Sequence, residues 1–155
     1  MNQLRRTFLK WSATAGTLAL AAGSGLLRSG EALAAAWNKV GFESKAVKEA
    51  LASLGAANPA ESKDIVITAP DIAENGAVVP IAVTSKIPNT QSISIIAEKN
   101  PFPLSSTFEF SNGSEAYVST RLKLGQTSKV RAIIKADGKF YTAVKEVKVT
   151  IGGCG

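Results

Sequence analysis

The sequence predicts an all-β fold: an immunoglobulin-like antiparallel β-sandwich of about seven strands, with a helix ahead of it and a flexible C-terminal arm behind it. Three observations carry this expectation. From Ser62 onward, apolar residues recur with period two over seven runs of strand length. Turn-forming pairs fall between those runs. The one stretch with helical spacing ends before the first run begins.

Taken in order, the chain opens with a targeting segment. Arg5, Arg6 and Lys10 precede an apolar, small-residue stretch over 11–27, then Arg28, then Ala32-Leu33-Ala34, which fits an A-x-A cleavage site. Residues 1–34 therefore read as a secretory signal peptide and not as part of the fold. Arg5-Arg6 followed by Phe-Leu-Lys is of the twin-arginine type, with Leu4 where Ser or Thr is usual. The alternative is an anchor helix, disfavoured by the short length and the Gly, Ala, Ser and Thr content. No cysteine stands at the cleavage site, which excludes a lipoprotein.

The expected destination is the periplasm, by a route that exports proteins already folded. The sequence has no histidine and one cysteine. It lacks the ligands for a haem, an iron–sulfur cluster or a histidine-type zinc site, so no cofactor and no metal are expected. A second, signal-less subunit exported with the chain is the better reason for the route.

Cleavage leaves about 120 residues, enough for one domain with a modest core. Losing Arg5, Arg6, Lys10, Arg28 and Glu31 turns 18 basic and 12 acidic residues into 14 and 11, so the net charge falls from +6 to +3. A mildly basic, well-mixed chain makes no electrostatic case for nucleic acid. With one cysteine, stability must come from the core and not from disulfides.

Residues 35–60 form a helical segment. Phe42, Ala46, Val47, Ala50, Leu51 and Leu54 predict a helix over 37–54, stopped by Gly55 and Asn58-Pro59. Residues 61–151 form the sandwich, with strand-like runs at 64–68, 77–85, 92–97, 105–110, 116–124, 129–136 and 139–151. Pro70-Asp71, Asn75-Gly76, Pro88-Asn89, Asn112-Gly113 and Gly125-Gln126 mark turns, and Asp137-Gly138 a two-residue hairpin. Pro80 inside a run predicts an edge or a bulge. Phe140, Thr142 and Val144 share one parity, whereas Val147, Val149 and Ile151 share the other. A bulge or sheet switch near Lys145-Glu146 is the expected reconciliation. The Cys–Trp–Cys pattern of antibody domains is absent.

A search for chemistry finds little in the body of the domain. Without histidine there is no Ser-His-Asp or Cys-His nucleophile. Asp71 and Glu74 read either as a carboxylate pair or, more commonly, as solvated turn residues. Arg121, Lys123, Lys129 and Arg131 read as a basic patch on adjacent strands, either a solvated face or a guide for an anionic substrate or acidic partner. No catalytic residue is expected.

The sequence ends Gly152-Gly153-Cys154-Gly155, residues 152–155 being the arm. Glycines there leave the thiol with little side-chain bulk around it, and three peptide steps beyond Ile151 can carry it on the order of 10 Å from the last strand. A lone cysteine is often a small buried hydrophobe. Here it reads as a functional thiol, a disulfide dimer link or a group without a role. Its neighbouring terminal carboxylate disfavours the thiolate, so activation falls to a partner's pocket.

The stretches 69–77, 79–80, 98–103, 127–132 and 145–155, the last ending Ile151-Gly-Gly-Cys-Gly155 behind a twin-arginine leader, resemble the SoxY family, sulfur-carrying subunits of the SoxYZ complex of bacterial thiosulfate oxidation. Many of its members end one glycine later. The resemblance implies a carrier without its own catalytic site. It implies that Cys154 holds thiosulfate as a cysteine S-thiosulfonate made by the haem protein SoxAX, and that SoxB then hydrolyses off sulfate. It implies SoxZ as heterodimer partner, and a role for Gly152, Gly153 and Gly155 in admitting the thiol to enzyme clefts. The competing expectation is a structural sandwich protein whose terminal cysteine makes disulfide dimers.

Overall fold

The computed structural model describes residues 37–111 and 113–150. Among the described residues two helices, α1 (Lys39–Glu43) and α2 (Val47–Ser53), precede nine strands. These are β1 (Ala60–Glu61), β2 (Ile65–Thr68), β3 (Ile72–Ala73), β4 (Val79–Ser85), β5 (Thr90–Ala97), β6 (Leu104–Glu109), β7 (Tyr117–Leu122), β8 (Ser128–Ala136) and β9 (Lys139–Val149). One sheet runs β1-β9-β8-β5-β6, with β3 also on β9; the other runs β2-β4-β7. This is the expected immunoglobulin-like sandwich, and each of the seven sequence-read runs contains a strand.

The helical segment differs from expectation: two short helices stand where one was read. Ser44 ends the first. Its Oγ donates to the Gly41 carbonyl at 2.6 Å and its backbone extends to ψ 141°, a side chain competing with the helical ladder. The break lets the helices fold against each other. A Cβ on Gly41 would lie 2.8 Å from Asn38 Nδ2 and 2.9 Å from Leu104 Cδ2. α2 stops as predicted, with Gly55 at φ 74°. The Ala56 N–H donates to Leu51 O and the Gly55 N–H to Ala52 O, each at 2.9 Å, a Schellman close.

The larger sheet is covered on both faces. Toward the smaller sheet it presents Ile93, Ile95, Val130, Ala132, Ile134 and Val147, which meet Ile65, Val79, Ile81, Val83, Val118 and Leu122. On its other face Ile96, Leu104, Ile133 and Phe140 meet Val47, Ala50, Leu51 and Leu54. This second cover corrects the expected bulge. The β8–β9 register runs unbroken from Ser128↔Val147 to Ala136↔Lys139. Phe140 looks inward in the sequence because the helices bury it, while Tyr141, Ala143, Val147 and Val149 face the sandwich. Both parities are apolar, so the change of parity needs no extra residue.

Two further expectations are refined. Pro80 sits on the middle strand of the small sheet, but β2 pairs only with the stretch from Ala82 to Ser85, so Pro80 has a ladder partner on one side alone, Arg121. The Asp137-Gly138 hairpin forms with φ of 48° and 72°, positive at both positions as a type I′ turn requires.

Ile134 is fully buried between the layers, whereas Val144 is 41% exposed on the same sheet. Ile134→Ala should cost about 2–5 kcal/mol in urea unfolding, and Val144→Ala within about 0.5 kcal/mol of nothing.

Candidate functional site

The antiparallel pairings bring one set of features to one end of the sandwich. β5, β7 and β9 finish there, and β4, β6 and β8 begin there. The segments 69–78, 98–103 and 123–127 therefore meet at the end where β9 finishes.

β9 is the longest strand, and it outruns β8 by two residues, since Ser128 is opposite Val147. Beyond that point both of its edges are still bonded. On one edge β3 pairs in parallel, Ile72↔Lys148 and Ala73↔Val149. The Lys148 N–H donates to Asp71 O at 2.9 Å and the Thr150 N–H to Ala73 O at 3.2 Å. On the other edge the Val149 N–H donates to Thr127 Oγ1 at 3.0 Å, a side chain replacing the missing strand. Underneath, the Leu124 N–H donates to Gly76 O at 2.7 Å. A Cβ on Gly76 would collide with the Leu124 carbonyl oxygen and come within 2.8 Å of Val149 Cγ1. Only glycine lets the three segments close together there.

This clamp corrects the reading of 70–74 as a plain turn, because Ile72–Ala73 is a short parallel strand. Asp71 and Glu74 fit the solvated reading better than a catalytic pair. Asp71 Oδ1 sits 3.0 Å from Lys145 Nζ, and Glu74 is exposed.

The basic patch also comes apart. β7 and β8 are neighbours in sequence but lie in different sheets, so Arg121 and Lys123 are separated from Lys129 and Arg131. Arg131 is neutralised: its Nη2 lies 2.7 Å and its Nε 2.9 Å from Glu98 Oε1, and its Nη1 reaches Thr142 Oγ1 at 3.5 Å. Both partners of that pair are about three-quarters buried, and two charge-assisted donors converging on one carboxylate oxygen make a stronger contact than neutral hydrogen bonds. Lys123 meets a residue to which the sequence reading gave no role of its own. Asn100 Nδ2 donates to Lys123 O at 2.8 Å, which draws the 98–101 loop across to the end of β7, where Lys99 and Lys123 line one cleft.

The reactive group expected from sequence, Cys154, with Gly152, Gly153 and Gly155, lies outside the described residues, as do Arg5 and Arg6. Among the described residues, no cluster of His, Cys, Asp or Glu is placed to hold a metal ion, and no helix is long and apolar enough to cross a membrane.

The fold and this clamped terminus define an immunoglobulin-like sandwich protein whose last strand is fixed to its final described residue. The family model described as "Sulfur oxidation protein SoxY" matches residues 50–154. The chain belongs to the SoxY family. Among solved structures it is similar to the sulfur carrier protein SoxY from Chlorobium limicola f thiosulfatophilum, with 40% identity, a TM-score of 0.62, and cover of 67% of this chain and 96% of that one. A superoxide reductase (neelaredoxin) from Ignicoccus hospitalis matches at 23% identity and TM-score 0.50, over 56% of this chain and 80% of that one, a likeness of fold alone. No curated protein sequence matches.

Gly76→Ala should lower stability by about 1–3 kcal/mol in urea unfolding and speed amide exchange at Val149 and Thr150. Unchanged exchange there would show that the close approach does not secure the strand.

Proposed function

We propose that this protein is a covalent sulfur carrier of periplasmic thiosulfate oxidation and has no catalytic site of its own. Membership of the SoxY family, over a match that reaches Cys154, is the observation that carries the reading. The 40% identity to a sulfur carrier from Chlorobium supports it. The β9 clamp supports it too, because a fixed base turns a short tail into a directed arm. Three residues separate Thr150 from Cys154, four peptide steps with a reach of at most about 14 Å.

The chemistry balances as follows. The Cys154 thiol and thiosulfate lose two electrons and one proton, and a sulfur–sulfur bond forms to give Cys–S–S–SO3−. The oxidant is the haem protein SoxAX. Water then attacks the terminal sulfur in SoxB. Sulfate leaves, two protons are released, and Cys–S–S− remains for other Sox enzymes. The carrier's own contribution is positional: a thiol on small residues, free to enter successive clefts, activated there and not on this chain. SoxZ is the proposed heterodimer partner, exported with this chain by the twin-arginine leader.

Intact mass after incubation with thiosulfate and the oxidising partner tests this directly. The expected result is a sulfur-containing adduct on wild type and none on Cys154→Ser, whose melting temperature should stay within about 1 °C if the proposed arm adds little packing. Disulfide dimers as the sole product would favour a structural protein. Arg5→Lys with Arg6→Lys should hold both this chain and its partner in the cytoplasm, read by fractionation. A partner that still reaches the periplasm would contradict joint export.

A further inference from the structure

Beside the β9 clamp lies a cleft of about 450 Å³ lined by Lys99, Asn100, Pro101, Lys123, Gly125 and Gln126. Its two cations lie in loops that follow strands of different sheets, Lys99 after β5 and Lys123 after β7, and neither has an ion-pair partner among the described residues. None of the residues lining it is acidic. The nearest carboxylate in sequence, Glu98, is engaged by Arg131 on the outer face of the larger sheet.

The cleft is also held in shape. The Lys99 N–H donates to Ser128 Oγ at 3.1 Å, Asn100 Nδ2 to Lys123 O at 2.8 Å, and the Asn100 N–H to Ala97 O at 3.1 Å. Gln126 forms one wall, and the next residue, Thr127, bonds Val149 at the root of the arm. One residue thus separates the wall of the cleft from the strand that leads to Cys154.

The geometry points to an oxyanion seat at this cleft, with Lys99 and Lys123 as its cations and, as neutral donors, the second N–H of the Asn100 and Gln126 side-chain amides, whose first is given to Lys123 O and Lys99 O. Two unopposed ammonium groups in a concave surface raise the local concentration of anions. Each offers three N–H donors that suit a sulfonate or sulfate oxygen. The ligand is a sulfur oxyanion, either the –S–SO3− end of cargo on Cys154 or a free thiosulfate. The tethered form rests on the carrier function proposed above. For it, the seat holds the charged end against the body of the carrier between enzyme visits.

Two arms of one nuclear magnetic resonance experiment on the exported chain, labelled with nitrogen-15, test the seat. In the first, Cys154→Ser is titrated with thiosulfate at constant ionic strength. Saturable shifts at the amides of Lys99, Asn100 and Gln126 are expected, and their loss in Cys154→Ser carrying Lys99→Gln and Lys123→Gln. In the second, wild type is treated with tetrathionate, whose central sulfur is attacked by the Cys154 thiolate with loss of thiosulfate, and excess reagent is removed. The same amides should shift with no free anion present, and should not shift when Cys154 is capped with neutral iodoacetamide.

Shifts in the first arm alone assign the seat to free oxyanion and overturn the tethered form. Shifts in neither arm, or shifts that survive Lys99→Gln with Lys123→Gln, overturn the seat. Those outcomes leave the carrier function standing, since it is read separately by the mass of Cys154 adducts.

Discussion

The bonds at the end of β9 are the constraint on which the rest of the molecule depends. A strand that runs past its neighbour would ordinarily fray, because its backbone groups lose their partners. Here the overhang is bonded on both edges, by the Asp71 and Ala73 carbonyls on one side and by Thr127 Oγ1 on the other. Three separate segments must arrive at one place to supply those partners. That requirement explains the glycine at 76 and the two-residue strand before it. It also explains why the loop after β7 turns back beneath Val149.

The second constraint is the double cover of the larger sheet. β5 and β8 carry apolar residues on both faces, since the small sheet lies on one side and the helix pair on the other. Burial on two faces makes β8 and β9 a stiff centre, and the stiffness is passed to the clamp through an unbroken register. The Glu98–Arg131 fork ties the end of β5 to β8 on the same side as the helices. It also removes a carboxylate that would otherwise oppose Lys99. Fold and proposed chemistry therefore meet in the loop 98–101.

Most of the architecture was legible in the sequence because each main strand keeps one consistently apolar face. Val118 and Leu122, for example, alternate with the exposed Ser119 and Arg121. What escaped was whatever depended on a distant partner. β1 and β3 are two residues long and exist only as parallel additions to β9, which leaves no local period. The bulge was inferred from Phe140 and Val147 on opposite parities, without the helix that buries one of them. The basic patch assumed that consecutive strands are neighbours, whereas β7 and β8 belong to different sheets. Lys99 lay inside a stretch that carried the family resemblance but was given no role, because its position matters only once Asn100 bridges to Lys123. Cys154 shows the opposite case: its place one residue from the end, among glycines, was plain from sequence, while the anchoring of its base needed three dimensions.

The central claim is that the last strand is held firmly as far as Thr150, the base of the arm proposed to carry Cys154. Nitrogen-15 relaxation along residues 145–155 of the exported chain measures it most directly. Order parameters near 0.85 are predicted through Thr150, falling below about 0.6 by Gly153. Rigid values continuing through Cys154, in the chain alone and with its partner bound, would contradict the account.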